Sequence, residues 1–109
     1  MNLPYVSVIV PAYNAETTIG RCIESLLSQT YPADQYEILV VDNKSKDNTK
    51  EIIRKYPVTY LFEDAIQTAY ASRNNGLRRA KGTVIAFTDS DCIIDKNWIE
   101  QGVLSLSEP

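Results

Sequence analysis

The sequence contains no histidine. A Ser-His-Asp triad or a Cys-His pair therefore cannot be assembled from the residues of this chain. Without imidazole groups, carboxylates are the natural ligands for a metal ion. Carboxylates favour a hard cation, so any metal bound here is expected to be magnesium or manganese.

Cysteine and glycine are scarce. The two cysteines, Cys22 and Cys92, are far apart in the sequence and lack CxxC spacing, so we predict neither a disulfide framework nor a zinc site. The chain has four glycines, and none lies in the loop at residues 11–14 that follows the first apolar run. This loop excludes the GxGxxG motif of a dinucleotide-binding dehydrogenase, and it argues against a sugar nucleotidyltransferase, which needs a glycine-rich first loop.

A basic excess and a long hydrophobic run are also missing. Eleven basic and 14 acidic residues give a net charge of −3, which argues against nucleic-acid binding. The basic cluster Arg73, Arg78, Arg79 and Lys81 is interpreted as a solvated helix face, except for Arg73. The apolar run at residues 6–10 is too short for a signal segment or a membrane span. We expect a soluble, cytoplasmic protein, and leave open a peripheral attachment to the membrane.

The chain does have a regular alternation of apolar runs and amphipathic segments. Apolar runs at residues 6–10, 37–42, 58–62 and 83–88 predict buried strands, the first ending at Pro11. Helical spacing predicts helices at residues 15–28, around 52–56, at 68–80 and after residue 95. Because helices separate the strands, we predict an α/β fold in which one open, mostly parallel sheet of about four strands is flanked by helices. Residues 1–109 are predicted to form a single domain.

Turn and cap residues set the predicted helix ends. Asn14 is expected to cap the first helix and Asp95 the last one. Pro57 is expected to end the second helix, and Gly82 to stop the third.

Polar or aromatic side chains follow three of the predicted strands at their carboxyl ends, where open α/β sheets bind ligands. These residues are Pro11, Ala12 and Tyr13 after the first strand, Asp42 and Asn43 after the second, and Asp89, Ser90 and Asp91 after the fourth. Acids in such positions often only cap helices or turns. Convergence of three such sites on one edge favours a ligand site.

Asp89 and Asp91 form the most specific of these patterns. Two acids at i and i+2 directly after a strand can face one ligand if the chain turns there. A divalent cation would bridge them to phosphate oxygens, which the carboxylates alone would repel. A DxD sequence is common by chance, but its position after an apolar strand favours a magnesium or manganese site at Asp91 and Asp89.

The remaining candidate residues have two interpretations each. Tyr13 stacks on a nucleobase or packs in its loop, and Asp42 or Asn43 bonds the edge of a pyrimidine base or only shapes a turn. Arg73 grips a phosphate, whose geometry its guanidinium matches, or lies on a helix surface. For Glu16 we prefer a role in complementing the helix dipole.

Four segments together resemble the family 2 glycosyltransferases. They are VSVIVPAYN at 6–14, ILVVDNKSKDNT at 38–49, SRNNG at 72–76 with AKG at 80–82, and AFTDSD at 86–91. Each segment alone is only modestly specific for the family. Their order and spacing over essentially the whole chain make the resemblance highly specific.

This resemblance implies a GT-A fold and a nucleoside-diphosphate sugar donor, often a UDP-sugar, whose sugar is transferred with inversion to an acceptor hydroxyl. It also implies a role for each matching residue. Pro11, Ala12 and Tyr13 would line the base pocket, Asp42 and Asn43 would lie against base and ribose, Arg73 would lie near the base or diphosphate, Asp89 and Ser90 would face ribose and diphosphate, and Asp91 would hold the metal.

The chain departs from the family pattern in two residues and in length. Asn43 stands where an acid is common, and Lys44 where a small residue is common. Family catalytic domains are roughly twice as long as a small domain of this size. We therefore interpret residues 1–109 as the nucleotide-sugar-binding part of a truncated glycosyltransferase domain, and nominate no general base.

Several alternatives stay open. The chain is an enzyme of sugar transfer, or it is a non-catalytic nucleotide-binding or assembly module because the acceptor-binding half is absent. A sheet edge left exposed by that absence predicts a homo-oligomer. The sugar, the acceptor (a sugar or a lipid-linked one), the linkage and any continuation past Pro109 are not determined.

Overall fold

A computed structural model describes residues 3–107. Four strands form one parallel sheet in the order β3-β2-β1-β4. The strands are β1 (Val6–Ala12), β2 (Tyr36–Asp42), β3 (Thr59–Phe62) and β4 (Val84–Phe87). The predicted α/β fold with an open parallel sheet is confirmed.

Helices cover both faces of this sheet. They are α1 (Ile19–Leu27), α2 (Thr49–Ile53), α3 (Ala69–Arg79) and α4 (Trp98–Ser107), with a 3₁₀ turn at Ala33–Gln35. Because successive strand residues point to opposite faces, Val8 of β1 packs in the core that includes α1, whereas Ile9 packs with Leu39 and Val41 on the other face. There α3 contacts β1, β2 and β3.

Strand β1 continues through Pro11 to Ala12, so the prediction that Pro11 ends it is wrong. The carbonyl of Ile9 accepts the N–H of Thr88 at 3.3 Å, which shows that Ile9 bonds toward β4. Two residues on, Pro11 faces the same side, but β4 has already ended at Phe87. The missing N–H of proline therefore costs no ladder hydrogen bond.

Helix α1 begins at Ile19, so the prediction that Asn14 caps a helix starting at Ala15 is wrong. Asn14 adopts a left-handed φ of 48°, and its Oδ1 accepts the N–H of Lys46 at 2.8 Å. The N–H of Ala15 donates to Thr49 Oγ1 at 2.8 Å. Polar groups of the β2–α2 loop and of the first residue of α2 thus bond the residues that the helical pattern assigned to α1.

Other helix ends also shift. Helix α2 ends at Ile53, before Pro57. Helix α3 is capped by Thr68, whose hydroxyl accepts the N–H of Ala71 at 3.0 Å. Helix α4 begins at Trp98, too late for Asp95 to cap it. The side chain of Gln29 instead accepts the N–H of Ile99 at 3.0 Å in its first turn.

Gly82 lies beyond the end of α3 and serves a close approach rather than a helix stop. A Cβ there would lie 2.6 Å from the backbone N of Ser7 and 2.6 Å from the carbonyl of Tyr5. The N–H of Gly82 donates to Ser7 Oγ at 2.8 Å. Glycine therefore lets the chain enter β4 directly against the start of β1.

None of the helices within residues 3–107 has the length and apolar character needed to cross a bilayer.

Candidate functional site

A cavity of about 230 Å³ opens at the carboxyl ends of β1, β2 and β4. Its lining residues are Pro11, Ala12, Tyr13, Asn43, Ala69, Ser72, Asp89 and Ser90. Six of them are residues that the sequence pattern selected. Asp42, Arg73 and Asp91 lie outside this lining, and Ala69 and Ser72 on α3 are additions that the sequence did not suggest.

Hydrogen bonds between two loops hold the wall that carries Tyr13. The β1–α1 loop bonds the β2–α2 loop through Asn14 N to Ser45 Oγ at 2.9 Å and through Asn48 N to Glu16 Oε2 at 3.2 Å. Glu16 therefore lies outside α1, and the prediction that it complements the dipole of that helix from its first turn is wrong. Its carboxylate instead bonds Asn48, the residue that precedes α2. Tyr13 is 45% exposed on this wall.

Asp47 completes this pair of loops. Its carboxylate accepts the N–H and the hydroxyl of Thr49 at 3.0 and 2.5 Å and the N–H of Glu16 at 3.2 Å. Desolvation raises the pKa of Asp47, but these hydrogen bonds outweigh that effect and leave the pKa below its ordinary value. Asp47 is thus held as the anion that the loops require.

Asp42 is buried and has both carboxylate oxygens bonded within the protein. Oδ1 accepts the N–H of Ser45 at 3.0 Å, and Oδ2 accepts the hydroxyl of Tyr60 at 2.7 Å. Burial, followed by this hydrogen bond, raises the pKa of Tyr60. In the turn between Asp42 and Ser45, Lys44 adopts a left-handed φ of 62°, a conformation that small residues take more readily. The position of Asp42 is that of a turn-forming acid outside the cavity wall.

Asn43 lines the cavity, and its side-chain Oδ1 accepts no hydrogen bond from the residues that the structure describes. Its Nδ2 donates to the carbonyls of Glu63 and Ile66 at 3.0 and 3.1 Å. Its backbone N–H donates to Ala12, and its carbonyl accepts from Gln67. Because carbonyls only accept, these bonds fix which end of the amide is nitrogen. Oδ1 remains as a hydrogen-bond acceptor.

Asp89, Asp91 and Cys92 form a cluster beside the cavity. One ligand atom from each lies within 4.8 Å of the others. The carboxylates are exposed and can converge on one hard cation, as magnesium and manganese prefer, whereas a thiol suits softer metals. The donor set therefore fits the expected cation through Asp89 and Asp91.

The backbone turn that carries this cluster is tied to α1. The carbonyl of Asp89 accepts the N–H of Cys92 at 3.1 Å and the thiol of Cys22 at 3.5 Å. Burial raises the pKa of Cys22 to about 12, and the charges of Cys92, Asp91 and Asp89 add to the effect. Cys22 is therefore a protonated thiol that donates a hydrogen bond from α1 to this turn.

Arg73 lies on α3 beside the acids. Its Nη2 is 3.8 Å from Asp89 Oδ1, and the two side chains are 40% and 67% exposed. At that distance and exposure the ion pair is weak. Its guanidinium therefore keeps N–H groups that can bond a phosphate at the rim of the cavity.

Ser72 is a functional candidate that sequence reasoning missed. It is fully buried, it lines the cavity, and its Oγ has no hydrogen-bond partner among the residues that the structure describes. Ser72 is the first residue of the SRNNG segment, but a serine within a predicted helix does not by itself indicate a ligand contact. Only the packing of α3 on the sheet places it in the cavity.

Comparison with known proteins decides the family. A family model described as "Glycosyl transferase family 2" matches residues 7–109. The chain belongs to glycosyl transferase family 2. The glycosyltransferase AglE of Haloferax volcanii is 46% identical over 110 residues, which cover 96% of this chain and 36% of that protein.

Solved glycosyltransferases have the same GT-A fold as this family 2 chain. The mannosyltransferase PcManGT from Pyrobaculum calidifontis, in complex with GDP-Man and Mn2+, matches with a TM-score of 0.92 and 30% identity over 100% of this chain and 34% of that one. S. aureus TarS 1-349 in complex with UDP-GlcNAc matches with a TM-score of 0.80 and 31% identity over 92% and 30%. The chain thus spans between 30% and 36% of the length of these three relatives.

Proposed function

We propose that this chain is the donor-binding part of an inverting glycosyltransferase. It binds a nucleoside-diphosphate sugar, in the first place a UDP-sugar, with magnesium or manganese at Asp91 and Asp89, for transfer to the hydroxyl of a sugar or lipid-linked acceptor. The observation that carries the proposal is the single cavity where three strand ends meet, beside two converging carboxylates. The complexes of PcManGT with GDP-Man and Mn2+ and of TarS with UDP-GlcNAc support it.

Each lining residue has a part in holding the donor. Tyr13 offers its exposed ring to the face of the base. Asn43 Oδ1 accepts the ring N–H of uracil. The acid that is common at this position would also accept, so the replacement by asparagine changes the charge of the pocket and keeps the acceptor. Pro11 and Ala12 form the apolar wall between them.

The diphosphate belongs at the exposed end of the cavity. Asp89, Ser90 and Arg73 border that end, and Asp91 lies next to it. A bound divalent cation would neutralise the diphosphate leaving group there. Inverting transfer also needs a base for the acceptor hydroxyl, and we assign that role to no residue of this chain.

Calorimetric titration of the chain with UDP and manganese tests this proposal. We expect manganese-dependent binding that Asp91→Ala abolishes, because it removes a carboxylate from the cation. Folding should survive, because within residues 3–107 the exposed Asp91 carboxylate accepts one hydrogen bond, from the Cys92 thiol at 3.8 Å. Asp34→Ala is the matched control, an exposed acid at the opposite end of the sheet. Absence of binding at millimolar UDP in a folded sample contradicts the proposal.

A second candidate is a nucleotide-binding or assembly module without transferase activity of its own. The observation that favours it is the coverage of only 30% to 36% of the relatives' length. An assay of donor hydrolysis and transfer by the chain alone separates the two. Robust turnover eliminates the non-catalytic module, whereas nucleotide binding without turnover supports it.

We also propose self-association through the outer edge of β4. Among the described residues, β4 pairs only with β1, so its outward N–H and C=O groups are free to pair with a second copy. The opposite edge strand, β3, carries two cations near it: Lys50 Nζ and Arg54 Cζ lie 5.9 and 5.0 Å from the ring centre of Tyr60.

A further inference from the structure

Ser72 has a hydroxyl that the fold buries without a partner. The residue is 0% exposed and lies on the sheet-facing side of α3, one turn before Gly76, which packs on Ile9. Buried polar groups nearly always have a hydrogen-bond partner, so an exception calls for an explanation. Among the described residues, Ser72 Oγ is the only buried side-chain nitrogen or oxygen without one.

The usual local explanation for a serine within a helix does not apply. Such a hydroxyl commonly donates to the carbonyl four residues earlier or points to solvent. Here the carbonyl of Thr68 accepts the backbone N–H of Ser72 at 3.2 Å, and Oγ bonds neither this carbonyl nor another group. Ser72 itself lines the cavity that Asn43 also lines.

We propose that Ser72 is a specificity residue for the base of the donor, an inference that rests on the proposed nucleotide binding. Its hydroxyl donates to the base carbonyl next to the ring N–H that Asn43 Oδ1 accepts. Uracil and guanine both present a ring N–H beside a C=O. Cytosine and adenine present an unprotonated ring nitrogen beside an amino group. The pair Asn43 and Ser72 therefore selects the keto bases.

The base is a better partner for Ser72 than the diphosphate. Ser72 is completely buried, whereas the carboxylates of Asp89 and Asp91 and the guanidinium of Arg73 are at the exposed end. A diphosphate needs those charges and the cation between them. A neutral carbonyl, in contrast, would give the buried hydroxyl of Ser72 an acceptor without bringing a charge beside it.

Binding constants of UDP, GDP, CDP and ADP for wild type and Ser72→Ala test this inference. We expect the substitution to weaken UDP and GDP by about five- to tenfold, the usual value of one hydrogen bond. CDP and ADP should bind weakly to both proteins. Thermal stability should stay equal or rise, because the substitution removes a buried hydroxyl that has no partner among the described residues. Ser28→Ala, an exposed serine on the far end of α1, should change neither quantity.

Two results overturn the inference. Equal UDP affinities of wild type and Ser72→Ala show that the hydroxyl does not bind the donor. A loss that appears with UDP but not with 2′-deoxy-UDP assigns the contact to the ribose and not to the base. Failure of wild type to bind any nucleotide would instead refute the proposed function, so the two failures are distinguishable.

Discussion

Asp42 and Asn43 are adjacent in sequence but differ in the polar atoms that they leave free. Asp42 bonds Ser45 and Tyr60 through its two oxygens, whereas Asn43 donates both bonds from Nδ2 and keeps Oδ1. The two carbonyls that fix Asn43 belong to Glu63 and Ile66. The orientation of the amide in the cavity therefore depends on the loop that follows β3.

Glu63 organises this loop through its carboxylate. Oε1 accepts from Asn75 Nδ2 at 3.2 Å, and Oε2 accepts the N–H groups of Ala65 and Ile66 at 3.0 and 3.2 Å. The bond from Asn75, then those from the backbone, place the pKa of Glu63 below its ordinary value of 4.5, and Arg78 adds to this. The bonds favour the charged form.

We expect acid to weaken the fold through Glu63. Because its pKa is lowered in the folded state, its stabilising effect is complete above pH 4.5 and is lost as the pH falls through the lower folded pKa. Glu63→Gln should reduce stability at pH 7 and flatten the acid dependence. Part of the acid dependence should remain in Glu63→Gln, because the pKa of Asp47 is also lowered in the folded protein. Urea unfolding of wild type and Glu63→Gln from pH 7 to pH 3 measures this effect. If the free energy of unfolding falls equally with pH in the two proteins, Glu63 is not responsible.

At the scale of elements, the contact of α3 with β1 decides where Ser72 and Arg73 lie. Gly76 permits this contact, because a Cβ on it would lie 2.6 Å from Cγ2 of Ile9. The adjacent Thr68 cap fixes where α3 begins. Helix packing and capping thus place two site residues together.

Substitution of two helical glycines by alanine should have opposite effects. Gly76→Ala overpacks the contact with Ile9 and should destabilise the fold by about 1–3 kcal/mol. Gly102→Ala adds a methyl group on α4 with nothing within 4 Å, and should stabilise by up to about 1 kcal/mol through helix propensity. Denaturant unfolding of both variants measures this. A stabilised Gly76→Ala protein would show that α3 can move away from β1 without reducing the free energy of unfolding.

At the scale of the whole molecule, the sheet has two edge strands with unequal protection. Phe87 on β4 and Phe62 on β3 are similarly exposed, at 42% and 48%. The β3 strand has two cationic side chains, Lys50 and Arg54, over the ring of its Tyr60. Charge at an edge hinders pairing with another strand.

Light scattering at high protein concentration should therefore reveal a dimer or a larger species. Phe87→Lys should shift the assembly toward the monomer, because the new positive charge lies on the β4 edge that is proposed to pair. Phe62→Lys, the matched change on the other edge, should leave the assembly intact. A monomeric wild-type protein, or dissociation by Phe62→Lys alone, contradicts pairing through β4.

The local pattern of the sequence was sufficient for the fold class. Apolar runs separated by amphipathic segments require crossovers, and crossovers give a parallel sheet whose strand ends share one edge. Six of the cavity residues follow from that rule. The sequence pattern predicted the ends of the elements less well. Helix α1 starts four residues later than its periodicity suggests, because groups of Lys46 and Thr49 bond Asn14 and Ala15.

The tertiary structure alone decided which polar atoms remain available to a ligand. Asp42 and Asn43 are equivalent candidates in the sequence, and Ser72 is not one at all. Their difference arises from Tyr60, Glu63 and Ile66, and from the absence of any partner for Ser72 Oγ among the described residues. A hydrogen bond depends on distance and direction between groups remote in the chain, and residue order does not contain these quantities until the chain has folded.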